Sequence, residues 1–239
     1  MRAIAVSLLG VLAAAGTAVA STLSVAPVRV ELSPTVSTAV ITVRNQEDSP
    51  VTVQARPAAW SQKDELDQLA DTHDLLVTPP LFTIPPKGRQ VVRIALLRKP
   101  DPARELDYRL VLSEIPASGV PTQTGLRFAL SITLPVFVAA PIHTAADLSW
   151  RHSWLADGTL QIEARNNGSA HIQINDFDVQ TADSGAQVLH TIAGRYLLPG
   201  SEAHWQLHPN AGFPHAVHIA IHGHTDAADF NVGSDSGGQ

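Results

Sequence analysis

Four histidines crowd one short stretch of the chain: His215, His218, His222 and His224 lie in HAVHIAIHGH. Imidazole is a common zinc and copper ligand, and on an extended strand His218, His222 and His224 share one face. No carboxylate stands among them, and same-face neighbours on a strand are about 7 Å apart. The spacing favours a polar strand face over a metal site. The 239 residues include no cysteine, which excludes disulfides, thiolate metal sites, iron–sulfur clusters and a thiol nucleophile. No G-x-S-x-G elbow, Gly-rich phosphate loop or H-E-x-x-H helix is present. Nothing pairs a nucleophile with a base, so a binding protein with no cofactor is favoured over an enzyme.

A second pattern concerns backbone chemistry. Leu126, Phe128, Leu130, Ile132 and Leu134 alternate without a break, with Arg127, Ala129, Ser131 and Thr133 between them. This is the period of a half-buried strand, and by periodicity alone the apolar face belongs to a core. The same pattern fits an edge strand whose side chains serve another protein by β-augmentation. Periodicity does not separate the two. Near the start, VRVEL (28–32) sends apolar residues to one face and Arg29 and Glu31 to the other.

The elements that must position these residues read as strands. No stretch sustains a helical period; alternating runs at 28–32, 38–45, 51–60, 90–97, 108–115 and 126–138 are separated by Pro, Gly, Asn and Asp. Further runs follow at 148–154, 159–166, 170–179, 186–191, 203–208 and 215–222. The polar segment 62–74 reads as a solvated connection, with a short helix as the other option. Residues 21–141 hold 12 Lys+Arg and 12 Asp+Glu, whereas 142–239 hold 3 Arg and 10 acids. Fourteen of the 17 prolines precede residue 142, and ten of the 11 histidines follow it. These shifts predict two domains, 21–141 and 142–232, each with the strand density of an immunoglobulin-like sandwich, and a disordered tail over 233–239.

The opening MRAIAVSLLGVLAAAGTAVA has a charge at Arg2, an apolar run and small residues at Ala18 and Ala20, the parts of a cleaved secretory signal. The run is short for a membrane span. An exported protein that does not span the membrane is expected. The formal net charge of −6 gives no case for nucleic acid as partner.

Four segments in order, APVRVEL, TPPLFTIPPKGRQVVRI, YRLVLSEIP and LRFALSITLPVFV, resemble the periplasmic pilus-assembly chaperones of the chaperone–usher pathway. The resemblance covers 21–141 well and the second domain only by length and strand character. It implies an all-β fold of two immunoglobulin-like sandwiches set at an angle, a pilus or fimbrial subunit held in the cleft, and delivery to an outer-membrane usher. The first domain's last strand would stand in for the strand that a subunit lacks. Arg29 falls where the family grips the subunit's C-terminal carboxylate, a role that suits a planar guanidinium. Leu126, Phe128, Leu130 and Ile132 fall where the family's donor residues lie. Glu114 matches a glutamate paired across the domain junction, and Thr78–Pro79–Pro80 a turn in which one proline bond is often cis.

The departures are specific. Pro135 stands where the family carries a second anchoring lysine, and Ala139 where a junction arginine is expected. The PVFV run is closer to alternative or archaic-type systems. Arg127 is a candidate substitute anchor on the polar face of the donor strand, and Arg93 a weaker one. The competing readings are a secreted sandwich-type pilus subunit or adhesin, and a His-rich periplasmic metal-binding protein. Mass spectrometry of the exported protein is expected to give Ser21 as the first residue; retention of the first 20 residues would overturn the leader.

Overall fold

The computed structural model describes residues 23–116, 129–181, 188–210 and 218–235. The expected leader lies outside this set, as do Leu126, Arg127, Phe128 and His215. Among the described residues all helix-or-strand structure is strand. The first ten strands are β1 (Leu23–Ala26), β2 (Val30–Leu32), β3 (Thr38–Asn45), β4 (Val51–Lys63), β5 (Leu66–Asp71), β6 (Leu75–Thr78), β7 (Leu81–Ile84), β8 (Arg89–Leu96), β9 (Leu106–Ile115) and β10 (Ser131–Val138). They form one sheet in the order β1-β3-β8-β6 and another in the order β2-β10-β9-β4-β5, with β7 also paired to β4.

Two-residue alternation makes these sheets two-sided. Ile41 and Val43 of β3, Val92 and Ile94 of β8, Leu110 and Leu112 of β9, and Leu134, Val136 and Val138 of β10 all point into one core between the sheets. Each such side chain contributes about 1.5–3 kcal/mol by leaving water. The proline at 135 is tolerated for a geometric reason. Leu130 accepts the Glu114 N–H through its carbonyl, so the even-numbered residues of β10 direct their backbone groups at β9 and the odd-numbered ones away from it. Pro135 therefore withdraws no donor from the β9–β10 ladder.

The second sandwich comprises β11 (Leu148–Trp154), β12 (Leu160–Asn166), β13 (Ile172–Thr181), β14 (Val188–Leu197), β15 (Glu202–Leu207), β16 (His218–Thr225) and β17 (Asp229–Asp235). Its sheets run β11-β12-β15 and β14-β13-β16-β17. Trp150, Ile162, Phe177 and Ile221 are central to a separate core, in which the Trp150 ring stacks on Phe230 at 5.1 Å. Each sandwich pegs a turn with a buried asparagine. Asn45 donates to the carbonyls of Ser49 and Ile84, and Asn166 to those of Ala170 and Leu197.

Several expectations change. The segment 62–74 is neither helix nor plain loop: β4 and β5 form a hairpin with Lys63 paired to Leu66, and Asp64 and Glu65 both take positive φ (50° and 63°). A left-handed non-glycine residue costs roughly 1–2 kcal/mol, and β5 is exposed along its whole length, so neither turn chemistry nor a hydrophobic period announces the hairpin. The strand β17 continues through Asp235, so 233–235 are paired in the sheet and do not belong to a disordered tail. The Thr78–Pro79 bond is cis, as is Ala26–Pro27.

Leu110, only 1% exposed at the centre of β9, is a sensitive point of the first core. Leu110→Ala is expected to lower unfolding free energy by about 2–5 kcal/mol in urea titrations, whereas Val91→Ala on the outer sheet face should change it by less than about 0.5 kcal/mol.

Candidate functional site

Strand β10 is paired unequally on its two sides. Against β9 it is complete, from Ser131 opposite Ser113 to Val138 opposite Leu106. On its other edge β2 reaches only Val136–Val138. Ser131–Pro135 thus present an edge with no strand beside it among the described residues, about 17 Å long. The outward backbone groups that β2 leaves free are the N–H and C=O of Ser131 and Thr133. The side chains of Leu130 and Ile132 are half-buried, and Ile132 packs against the rim of the first core. Of the four expected donor residues these two are on this strand or directly before it, while Leu126 and Phe128 lie outside the described residues, as does Arg127.

The second feature is the junction between the sandwiches. Trp60, Phe137 and Leu198 are buried together with Tyr196 against them, so β4 and β10 of one sandwich meet the β14–β15 turn of the other. The Arg109 guanidinium lies 3.5 Å from the Trp60 ring centroid, a cation–π contact. Burial holds the Arg109 pKa below its ordinary value, against the charge of Asp67. On one flank, Glu65 at the hairpin tip accepts from Arg195 at 3.0 Å and from the His204 backbone N–H at 3.1 Å, with His204 Nδ1 at 2.7 Å. Burial would raise the Glu65 carboxyl, but its bonds to His204 and Arg195 lower it. These partners hold the two left-handed residues of the turn in place.

On the other flank is Arg29. Its Nη1 is 2.5 Å from Asp226 and its Nε 3.0 Å from Glu31. Burial pulls the Arg29 pKa down, and the Asp226 and Glu31 carboxylates more than restore it, so it stays above its ordinary value. In this state Arg29 is a tie between the sandwiches. Asp226 also accepts the Gln173 backbone N–H at 2.8 Å, and lies 3.7 Å from His171 Nε2. The His171 ring stacks on Phe137 with centroids 3.4 Å apart, and its Nδ1 is 2.6 Å from the buried carboxylate of Glu105.

Glu114 does not fill the expected junction role. It sits near the far end of β9, opposite Val53 and beside Leu130, eight residues along the strand from Leu106. At the near end of β9 the carboxylate that reaches across the junction is Glu105, which sequence reasoning missed because it falls in a charged turn (DPAREL) with no apolar period. Arg93 lies exposed on β8, on the outer face of the other sheet, and is not near the open edge of β10. In the second sandwich His218, His222 and His224 do share a face of β16. His224 is 2.6 Å from Asp176, and among the described residues none of the three belongs to a group of three donors within ligating reach.

Two sandwiches joined by a charged, aromatic hinge, with one open strand edge beside it, define a β-protein built to hold another chain. The sequence from 22 to 142 matches the pili and flagellar-assembly chaperones, PapD N-terminal domain. The chain belongs to this family: it is a chaperone of pilus subunits and not an enzyme, and the reading as a subunit or adhesin falls. Comparison with curated proteins gives no match. Similar solved structures include the CsuC–CsuE chaperone–tip adhesion subunit pre-assembly complex of the archaic chaperone–usher Csu pili of Acinetobacter baumannii (TM-score 0.66, 15% identity, 91% of this chain and 100% of that one). The YadV chaperone (0.63, 15%, 88% and 98%) and the SafA pilin–SafB chaperone complex of Salmonella enterica (0.61, 16%, 92% and 98%) share the fold.

The junction titrates. Burial, followed by the Glu105 charge, pushes Asp107 up to about 8. Burial pulls His171 down, but its bonds to Asp226 and Glu105 hold it up at about 9. Asp226 goes down to about 2 despite burial, through His171, the Gln173 N–H and Arg29. A raised folded pKa gives stability that is complete below the unfolded value and lost as pH rises through the folded one. For Asp107 the window starts near an unfolded pKa of about 3.9, for His171 near about 6.5. Tm is therefore expected to fall between pH 6 and pH 9.5, and Asp107→Asn to flatten that fall. An unchanged slope in the variant would remove Asp107 from the account.

Proposed function

We propose that the chain acts in the periplasm after loss of its leader, captures a pilus or fimbrial subunit along the open edge of β10, and delivers it to an outer-membrane usher. The observation that carries this reading is the unpaired length Ser131–Pro135 with Leu130 and Ile132 at its start. An exposed edge is a hazard unless another strand covers it. A subunit short of one strand offers the complementary defect: an uncovered apolar groove and unpaired backbone. Leu126 and Phe128 continue the same period, so four apolar side chains would enter the groove, contributing about 6–10 kcal/mol before association costs. Proline at 135 ends the donor length, because an added strand would find no N–H there.

Arg29 supports an anchoring role in this reading. It stands at the junction, and exchanging the exposed Glu31 carboxylate for the C-terminal carboxylate of a subunit would keep its tie to Asp226. Arg127 would supply a second positive charge from the polar face of the donor strand. The structural likeness to the Csu chaperone and the absence of a lysine at 135 favour an archaic-type client system.

Co-expression with candidate secreted subunits and co-purification from the periplasm tests the reading. Leu130→Glu is expected to leave a folded chaperone by circular dichroism, since Leu130 is outside the first core, and to reduce capture at least tenfold, because an unpaired carboxylate resists burial in an apolar groove. Capture at unchanged yield would overturn the donor-edge assignment; loss of capture by Arg29→Ala with the fold retained would support the anchor.

A further inference from the structure

Glu105, Asp107 and His171 form the one group among the described residues in which three metal-ligating side chains bring donor atoms within 4.8 Å of one another. Two come from the first sandwich and one from the second. The family resemblance assigns no role to any of them, and the client-capture reading does not use them. Asp107 Oδ1 is wholly buried and has no hydrogen-bond partner, which is costly for a carboxylate oxygen. The far nitrogen of the same imidazole faces a carboxylate, Asp226, itself held by Arg29 and the Gln173 N–H. This is the outer-shell arrangement that orients a metal-bound histidine. Open cavities adjoin the group on two sides: one of about 270 Å³ lined by Glu105 and Asp107, and one of about 370 Å³ lined by Glu105, Phe137 and His171.

We propose that Glu105, Asp107 and His171 Nδ1 bind one zinc ion that bridges the two sandwiches. One imidazole and two carboxylates suit zinc, whereas magnesium and calcium prefer an all-oxygen shell. Three protein ligands leave a fourth position for water from the adjoining cavities. Around a tetrahedral zinc the donors stand roughly 3.4 Å apart, so Glu105 Oε1 and His171 Nδ1, now 2.6 Å apart, would separate to admit the ion.

Two carboxylates and one neutral imidazole balance the two positive charges of the ion, so the filled site adds no net charge at the junction. The orphaned Asp107 oxygen gains a partner, and the tie between the sandwiches becomes a coordinate bond, which holds the client cleft at one opening.

Isothermal titration of the mature chain with ZnCl₂ at pH 7.5, beside thermal melts with and without the ion, tests this. The expected result is one equivalent bound with a rise in Tm, and no response to MgCl₂. Asp107→Asn should keep or raise the metal-free Tm, since it removes a repelling carboxyl beside Glu105, and weaken zinc binding at least tenfold; His171→Gln should do the same to binding. A variant with His190, His218, His222 and His224 all replaced by glutamine should bind as the parent does. Zinc binding that survives Asp107→Asn but is lost in the surface-histidine variant overturns the proposal in favour of surface capture, and no binding by the parent chain overturns it outright. Either outcome leaves subunit capture, read by co-purification, to stand or fall separately.

Discussion

One strand carries three duties because its side chains alternate above and below the sheet while its backbone groups alternate, residue for residue, between the two neighbouring strands. Leu134, Val136 and Val138 of β10 seal the first core. Phe137, between two of them, emerges on the other face and enters the junction with Trp60 and Leu198. The in-plane direction is divided again: even-numbered residues bond β9, odd-numbered ones bond β2 where it is present and solvent where it is not. Shifting the register by one residue would bury Thr133 and expose Val136, and would turn Phe137 away from the second sandwich. Core, hinge and open edge therefore stand or fall on the same register.

The junction follows from that placement. A phenylalanine delivered to the surface of one domain needs cover, and Tyr196, Leu198 and the His171 ring provide it. Around this small apolar knot the charges come in compensated sets: Arg29 with Asp226 and Glu31, Glu65 with Arg195 and His204, His171 with Glu105. Pairs of this kind add little net stability to a surface, but they are directional. They set which of the many orientations around a greasy contact is adopted.

Legibility in the sequence tracks how local the cause is. The strands 38–45 and 148–154 begin and end where the alternation does, because burial of one face is the only force acting on them. The 62–74 hairpin was unreadable, since β5 buries neither face and its turn is held by Arg195 and His204, some 130 residues away in the chain. The motif marked Arg29 as an anchor for a subunit's carboxylate and not as a tie between the sandwiches, because its partner Asp226 lies in a turn between β16 and β17 with no sequence signal of its own. Glu114 was placed at the junction by resemblance and belongs at the other end of β9. The histidines of β16 drew attention by their density, while the histidine that gathers donors around itself, His171, stands alone in the sequence.

Composition and period by themselves determined an all-strand chain of two parts: no cysteine to cross-link it, two runs of short alternating strands divided near residue 141, and one apolar stripe ending in LPVFV. Those are properties of single strands and of residue counts, which need no knowledge of neighbours. Only the tertiary structure decided which strand edge stays open, which charges meet across the hinge, and that Glu105, Asp107 and His171 bring donor atoms within 4.8 Å of one another. Such outcomes depend on residues brought together from distant positions, and electrostatic and packing energies are set by distance in space, to which separation along the chain is blind.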